Sequence, residues 1–290
     1  MNFTHLLQKH DLPVDLIETV TNSVDIMGGT SHFSGGLCLR WNRNTKSIFS
    51  IKCQSDFKTE KLVIPADLEF WTINGGPLTT PSDECYRNAR IATFMGRRII
   101  QTFAPQALEN KSGEQYLTNL SADVWRAIRD LVPESISGAE FIDIYGDLNS
   151  IDIVVDPNQT YQLRLATEHP IYENERTNKF VRFLELAHLN PNARKSFLIA
   201  AGELMIQNHF SYDHRYDLGN KESDLIVKLA RDTGKQTGIY GAKLSGDGDS
   251  TTVALLCDRI QNSDIEAAIQ TIAEKYEEET GYNPQITSGK

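Results

Sequence analysis

Val24-Asp25-Ile26-Met27-Gly28-Gly29-Thr30-Ser31-His32-Phe33-Ser34-Gly35-Gly36 runs directly into Leu37-Cys38-Leu39-Arg40-Trp41. Glycine pairs bound a polar run, and the flanking apolar residues favour extended backbone, so the stretch predicts a hairpin-like unit around a glycine-rich bend. Residues 41–46 alone separate that second strand from Ser47-Ile48-Phe49-Ser50-Ile51-Lys52-Cys53. Asn42, Asn44 and Thr45 suit a tight turn, so the two strands are expected to be adjacent and antiparallel.

Outward from this unit the pattern changes character. Residues 62–64 and 68–73 continue as strands, ending at Asn74-Gly75-Gly76-Pro77. Residues 82–103 carry apolar side chains at helical spacing, with Ser82 as N-cap. Residues 120–131 and a segment opening at Ser137 read as short helices around Pro133, and residues 161–166 read as a strand. Residues 174–189, 193–210 and 222–233 are helical. Residues 239–244 and 251–257 are strands around the turn 245–249, and 263–280 is a final helix. No internal repeat is present, and the softest boundary lies between 150 and 170, which divides the chain into 1–160 and 161–290.

Composition narrows the function. The 290 residues, 40% hydrophobic and 23% charged, describe a compact protein large enough for two lobes. A net charge of −10 opposes both nucleic-acid and anionic-membrane binding. Neither a signal peptide nor a membrane anchor is evident, so a cytoplasmic protein is expected. Cys38, Cys53, Cys85 and Cys257 lack metal-ligand spacing and read as buried thiols.

Three ordered motifs resemble the GHMP sugar kinases, nearest the arabinokinase and galactokinase branch. The first is residues 24–36. The second is Thr167-Glu168-His169-Pro170-Ile171-Tyr172-Glu173-Asn174-Glu175-Arg176, followed by Gly202-Glu203-Leu204-Met205-Ile206-Gln207-Asn208-His209-Phe210-Ser211-Tyr212. The third is Tyr240-Gly241-Ala242-Lys243-Leu244-Ser245-Gly246-Asp247-Gly248-Asp249-Ser250-Thr251-Thr252-Val253. Phe70-Trp71, residues 92–97, residues 136–141 and Tyr145-Gly146-Asp147 are similar as well, so the resemblance spans about residues 22–285.

The resemblance implies an α+β, two-lobed GHMP-kinase-like fold with a truncated N-terminal lobe. It also implies a substrate site at Gly28, Gly29, His32, Ser34, Gly35, Gly36, Tyr172 and Arg176, and a phosphate or nucleotide-like loop at Lys243, Ser245, Gly246, Asp247, Gly248, Asp249 and Ser250. The family's phosphate loop, P-x-x-x-G-x-S-S-S-A, uses backbone N–H groups at a helix start to hold ATP, and a G-x-x-D-Q segment carries its catalytic aspartate. Where the family places both, this chain has residues 41–46. Phosphoryl transfer depends on positioning and charge neutralisation, so that loss weighs against kinase activity in a single chain.

Two further departures point the same way. Asp247 and Asp249 stand where the family has mostly glycines; they suit a turn, and beside a triphosphate they would repel it. His32 aligns with the family's sugar-binding aspartate and can donate, accept or titrate. His169, Tyr172, Glu173 and Arg176 suit either a cleft lining or helix-end partners, and His209, Tyr212, Asp213 and His214 read as structural.

The expectation is therefore a degenerate sugar-kinase homologue that binds a sugar, sugar phosphate or similar polar metabolite, with no metal and no cofactor. ATP and Mg would enter only if kinase activity is retained. One alternative is an enzyme of another class acting on a sugar-like substrate, with His32 and Asp25 as catalytic candidates beside the acidic turn. The other is an accessory or homodimerising subunit, paired through the truncated lobe, or a kinase completed by a partner.

Overall fold

A computed structural model describes residues 23–29, 34–55, 58–78, 83–148, 153–246, 250–259 and 264–288. The N-terminal third begins as an antiparallel sheet in the order β1 (Val24–Met27), β2 (Leu37–Asn42), β3 (Ser47–Lys52) and β4 (Lys58–Lys61). The β2–β3 hairpin is in register from Leu37↔Lys52 to Asn42↔Ser47, leaving only residues 43–46 in the turn. Asn42 Oδ1 accepts from Thr45 N at 3.0 Å, the side-chain-to-backbone bond that favours asparagine at a turn entrance. Residues 62–64, expected as a strand, lie beyond β4, which pairs with β3 through Lys58 to Lys61 instead. Leu62 N still reaches Ile48 O at 2.9 Å, but Val63 is exposed and the ladder stops there.

The second sheet has the order β10 (Gln285–Thr287), β5 (Leu68–Asn74), β9 (Thr252–Asp258) and β8 (Ile239–Leu244), all antiparallel. Strands of period two bury alternate residues on opposite faces. Leu68, Phe70, Ala254 and Leu256 face one core, shared with Ile26, Leu39, Trp41 and Ile48 of the first sheet. Trp71, Ile73, Val253, Leu255 and Cys257 face another. The Trp41 and Phe70 rings, 5.4 Å apart and tilted, join the two sheets. Because β5 lies between β9 and β10, this sheet draws on both sides of the 160/161 division expected from the sequence.

Helices complete both layers. α1 (Asp83–Phe103) crosses the protein, and the short α2 (Pro105–Leu108) follows. α3 (Ala122–Ile128) is capped by Ser121 and α4 (Gly138–Tyr145) by Ser137. The small β6 (Ser135–Ser137) pairs with β7 (Thr160–Gln162). α5 (Leu163–Leu189) and α6 (Arg194–Tyr216) form the central pair, with α7 (Lys221–Thr233) and α8 (Ile265–Thr280) backing the second sheet. α8 starts from an Asp264 cap, and Ser82, the expected cap of α1, lies outside the described residues.

Two boundaries differ from the sequence reading. The strand expected over 161–166 ends at Gln162, and the helix expected from 174 begins at Leu163. Pro170 explains the misreading, since proline in a helix interior removes a donor and leaves the carbonyl four residues earlier unpaired. Here Thr93 Oγ1 on α1 lies 3.1 Å from Ala166 O and 2.8 Å from Ala89 O, so its proton is divided between that carbonyl and its own helix. α6 likewise runs on past residue 210 to Tyr216, closed by Asp217 in the left-handed region.

All four cysteines are free. Cys38, Cys53 and Cys257 are buried as expected, whereas Cys85 is partly exposed. Among the described residues, no helix is long and apolar enough to cross a membrane.

Candidate functional site

The first and third motifs meet where β1 approaches the end of β8. Asp25 Oδ2 lies 2.7 Å from Lys243 Nζ, and it accepts from Gly246 N at 3.3 Å. Ser245 Oγ donates to Asp25 O at 2.9 Å, and Cys38 Sγ lies 3.7 Å from Oδ1. The Lys243 and Asp25 side chains are 0% and 1% exposed. A buried charge requires a partner, and each of these is the other's. Burial, and then the Asp25 charge, push the Cys38 thiol well above the ordinary thiol range, so it stays protonated here.

Gly29 sits at the narrowest point of this junction. A Cβ there would stand 2.6 Å from both Gly246 O and the Tyr212 hydroxyl, and 2.9 Å from Asp25 Oδ2. The glycine pair of the first motif thus lets two loops and α6 close on one another. Tyr212 also places its ring 5.6 Å from Lys243 Nζ, a cation–π distance.

The second motif holds the turn from behind. Glu173 Oε1 accepts from Gly28 N at 3.1 Å, its other oxygen pairs with Arg176, and Thr177 Oγ1 lies 3.3 Å away. Asn174 Oδ1 accepts from Leu37 N at 3.1 Å. Ser34 O accepts from Thr118 Oγ1, Gly35 O from Gln54 Nε2, and Gly36 O from Cys53 N. Gly35, at φ 78°, packs where a side chain would strike the Tyr116 ring.

His169, fully buried, meets Tyr212 edge-on and Tyr216 at a tilt, with Nδ1 2.9 Å from Ser211 Oγ. Burial, then the charges of Arg176 and Arg215, hold its pKa well below the usual histidine value. It is a neutral ring in the core.

Of the residues expected at the site, Asp25, Gly28, Gly29, Lys243, Ser245 and Gly246 converge. Ser250 stays in its turn, where Oγ accepts from Thr252 N. Tyr172 and Arg176 do not join them and line a separate concavity between α5 and α6. His32, Asp247, Gly248 and Asp249 lie outside the described residues. Asp25, a catalytic candidate, has both carboxylate oxygens engaged by groups of the fold. Lys243, expected to face a ligand, points to Asp25 instead.

His209 accepts from Leu244 N at 3.3 Å and places Nε2 3.0 Å from Asp224, whereas His214 is exposed beside Asp213. The two histidines hold different parts of the fold. Among the described residues, no cluster of His, Cys, Asp and Glu could hold a metal ion. The sequence reading treated Tyr212 as structural, read Cys38 as a buried thiol without a place at the site, and gave Asn208 no role. Asn208 is 0% exposed on the same face of α6 as Tyr212, and among the described residues no group hydrogen-bonds either end of its amide.

Comparison with known proteins agrees with these motifs. The chain is 27% identical over 295 residues to L-arabinokinase of Arabidopsis thaliana, covering 89% of this chain and 28% of that protein. It is 33% identical over 136 residues to galactokinase of Clostridium acetobutylicum, covering 47% of this chain and 30% of that one. The chain is a homologue of GHMP-family sugar kinases.

The fold of this GHMP-kinase homologue resembles that of galactokinase. The crystal structure of Lactococcus lactis galactokinase complexed with galactose superposes with a TM-score of 0.57 at 20% identity, over 83% of this chain and 50% of that one. The homologue therefore spans half or less of the length of each of these relatives. No family model matches the chain.

Proposed function

We propose that this sugar-kinase homologue binds a sugar-like polar metabolite where its first and third motifs meet, and that the chain by itself does not transfer phosphate from ATP. The observation that carries the reading is the β2–β3 hairpin. Its paired strands are joined by residues 43–46, at the place where the resembled kinases carry a phosphate loop and a catalytic aspartate. Lys243, the only cation of the third motif, pairs with Asp25, which supports the view that this motif offers no lysine to a triphosphate.

The scaffold that shapes the bend survives. Gly28, Ser34, Gly35 and Gly36 are each held by hydrogen bonds from α5, the 117–119 turn or β3 and its flank. The unpartnered Asn208 amide supplies polar capacity on the α6 face that closes this junction. A polyhydroxylated ligand matches such donors and acceptors better than an apolar one.

Calorimetry with ATP·Mg, and separately with arabinose, galactose and other pentoses and hexoses, tests the proposal. The expected outcome is saturable heat with at least one sugar and none with ATP·Mg. Tight ATP binding with a phosphorylated sugar formed by the purified chain would overturn it.

A further inference from the structure

An open concavity of about 370 Å³ between α5 and α6, edged by α3, is lined by Arg126, Tyr172, Arg176, Lys179 and Arg215, with Glu175, Leu204 and Gln207 completing it. Four cations against one carboxylate line this cavity in a chain whose net charge is −10. The volume falls within the range of about 300–1,000 Å³ typical of small-molecule sites. We propose that this cavity is a binding site for a phosphate-bearing small molecule.

The stability of the fold does not account for the whole cluster. Arg176 has a clear structural task, since it pairs with Glu173, 1% exposed, and so holds the carboxylate that accepts from Gly28 N. Arg215 reaches Glu168 at 3.4 Å and places its guanidinium 5.7 Å from the centre of the Tyr172 ring. Behind them, Trp125 Nε1 donates to Glu168 at 3.1 Å, and Arg129 stands 3.8 Å from the same carboxylate. Glu168 and Glu173 are thus satisfied without Arg126 or Lys179.

Those two side chains are 58% and 59% exposed and, among the described residues, pair with Asp123 and Glu175 on their own helices. Exposed pairs of that kind contribute about 0–1 kcal/mol, so packing gives them no reason to converge on this cavity. A dianionic phosphate gives them one. Guanidinium forks match its oxygens two at a time, and Lys179 adds a point charge. The Tyr172 ring, with Arg215 at cation–π distance, offers a flat wall for the organic part of a phosphomonoester. This reading stands on the cavity alone, whether or not the glycine bend binds a sugar.

The test titrates inorganic phosphate into the intact chain at constant ionic strength, followed by calorimetry and phosphorus NMR, with parallel titrations of ribose 5-phosphate and ribose. The Arg126→Ala/Lys179→Ala double variant removes two exposed charges without touching the buried carboxylates. Arg215→Lys keeps a charge but loses the fork.

Saturable phosphate binding is expected, weakened about tenfold or more by either variant, because a hydrogen bond to a charged group contributes about 1.5–3 kcal/mol. Ribose 5-phosphate binding more tightly than both phosphate and ribose assigns a phosphomonoester, and equal affinity for the two anions assigns free phosphate. Heats no different from sodium chloride at the same ionic strength, or affinity unchanged in both variants, would overturn the proposal.

Discussion

Asp25 and Lys243, 218 positions apart in the chain, form an ion pair of 2.7 Å whose two side chains are both shut away from solvent. The pair ties the first strand of one sheet to the outer strand of the other. It lies against Gly29, where an added Cβ would stand 2.9 Å from Asp25 Oδ2.

Removing one member leaves the other as an uncompensated buried charge, which costs about 3–5 kcal/mol. Lys243→Met is therefore expected to lower stability by that order in urea denaturation. The Asp25→Leu/Lys243→Met double variant should lose less than the sum of the two single changes. Additive losses would show that the pair does not carry the junction.

Gly29→Ala places a methyl within 2.6 Å of a backbone oxygen and of the Tyr212 hydroxyl. Overpacking of this kind costs about 1–3 kcal/mol. The variant should melt at lower temperature and bind any sugar that the parent binds more weakly. An unchanged melt would mean that the junction has more room than its geometry indicates.

His169 gives the stability curve a definite slope. Its folded pKa is depressed well below 6.5 by burial and by Arg176 and Arg215, so below that value the unfolded chain takes up a proton that the folded chain refuses. Above about pH 6.5 neither state is protonated there and the contribution is flat. As pH falls below it, stability should fall by up to about 1.4 kcal/mol per unit from this residue. Urea unfolding between pH 5 and 8 in parent and His169→Gln should show a shallower decline in the variant (about one proton less).

Thr93→Val removes the hydroxyl that lies 3.1 Å from Ala166 O and 3.1 Å from the Tyr216 hydroxyl. The same hydroxyl also lies 2.8 Å from Ala89 O, so its one proton is divided between two carbonyls, and a loss of about 0.5–1.5 kcal/mol in thermal or urea unfolding is expected. Thr93→Ser, which keeps the hydroxyl, should restore most of it.

These residues mark how far the chain could be read before folding. The β-rich runs expected at 68–73 and 251–257 are local signals, and strands form there within one residue of those bounds. The turn at Asn42 to Lys46 is legible for the same reason. The start of α5 is not, because the donor that makes Pro170 tolerable comes from Thr93 on another helix. At the site, the glycines and Lys243 stand out as motif members, but no spacing reveals that Lys243 turns inward to Asp25. The cationic cavity is harder still, since Arg126, Arg176, Lys179 and Arg215 come from three helices and form no pattern in any window.

β5 has one more effect. It fills the gap between β9 and β10, so residues 68–74 and 252–258 complete each other's backbone pairing across most of the chain. A fragment beginning at residue 161 would keep β8 and β9 but present the seven-residue β9, nearly all apolar, as a bare edge open to any passing chain. Such a fragment is expected to aggregate, as sedimentation would show, and co-expressed residues 1–160 should rescue it. The two halves expected from the sequence share one sheet, so each is expected to need the other to fold.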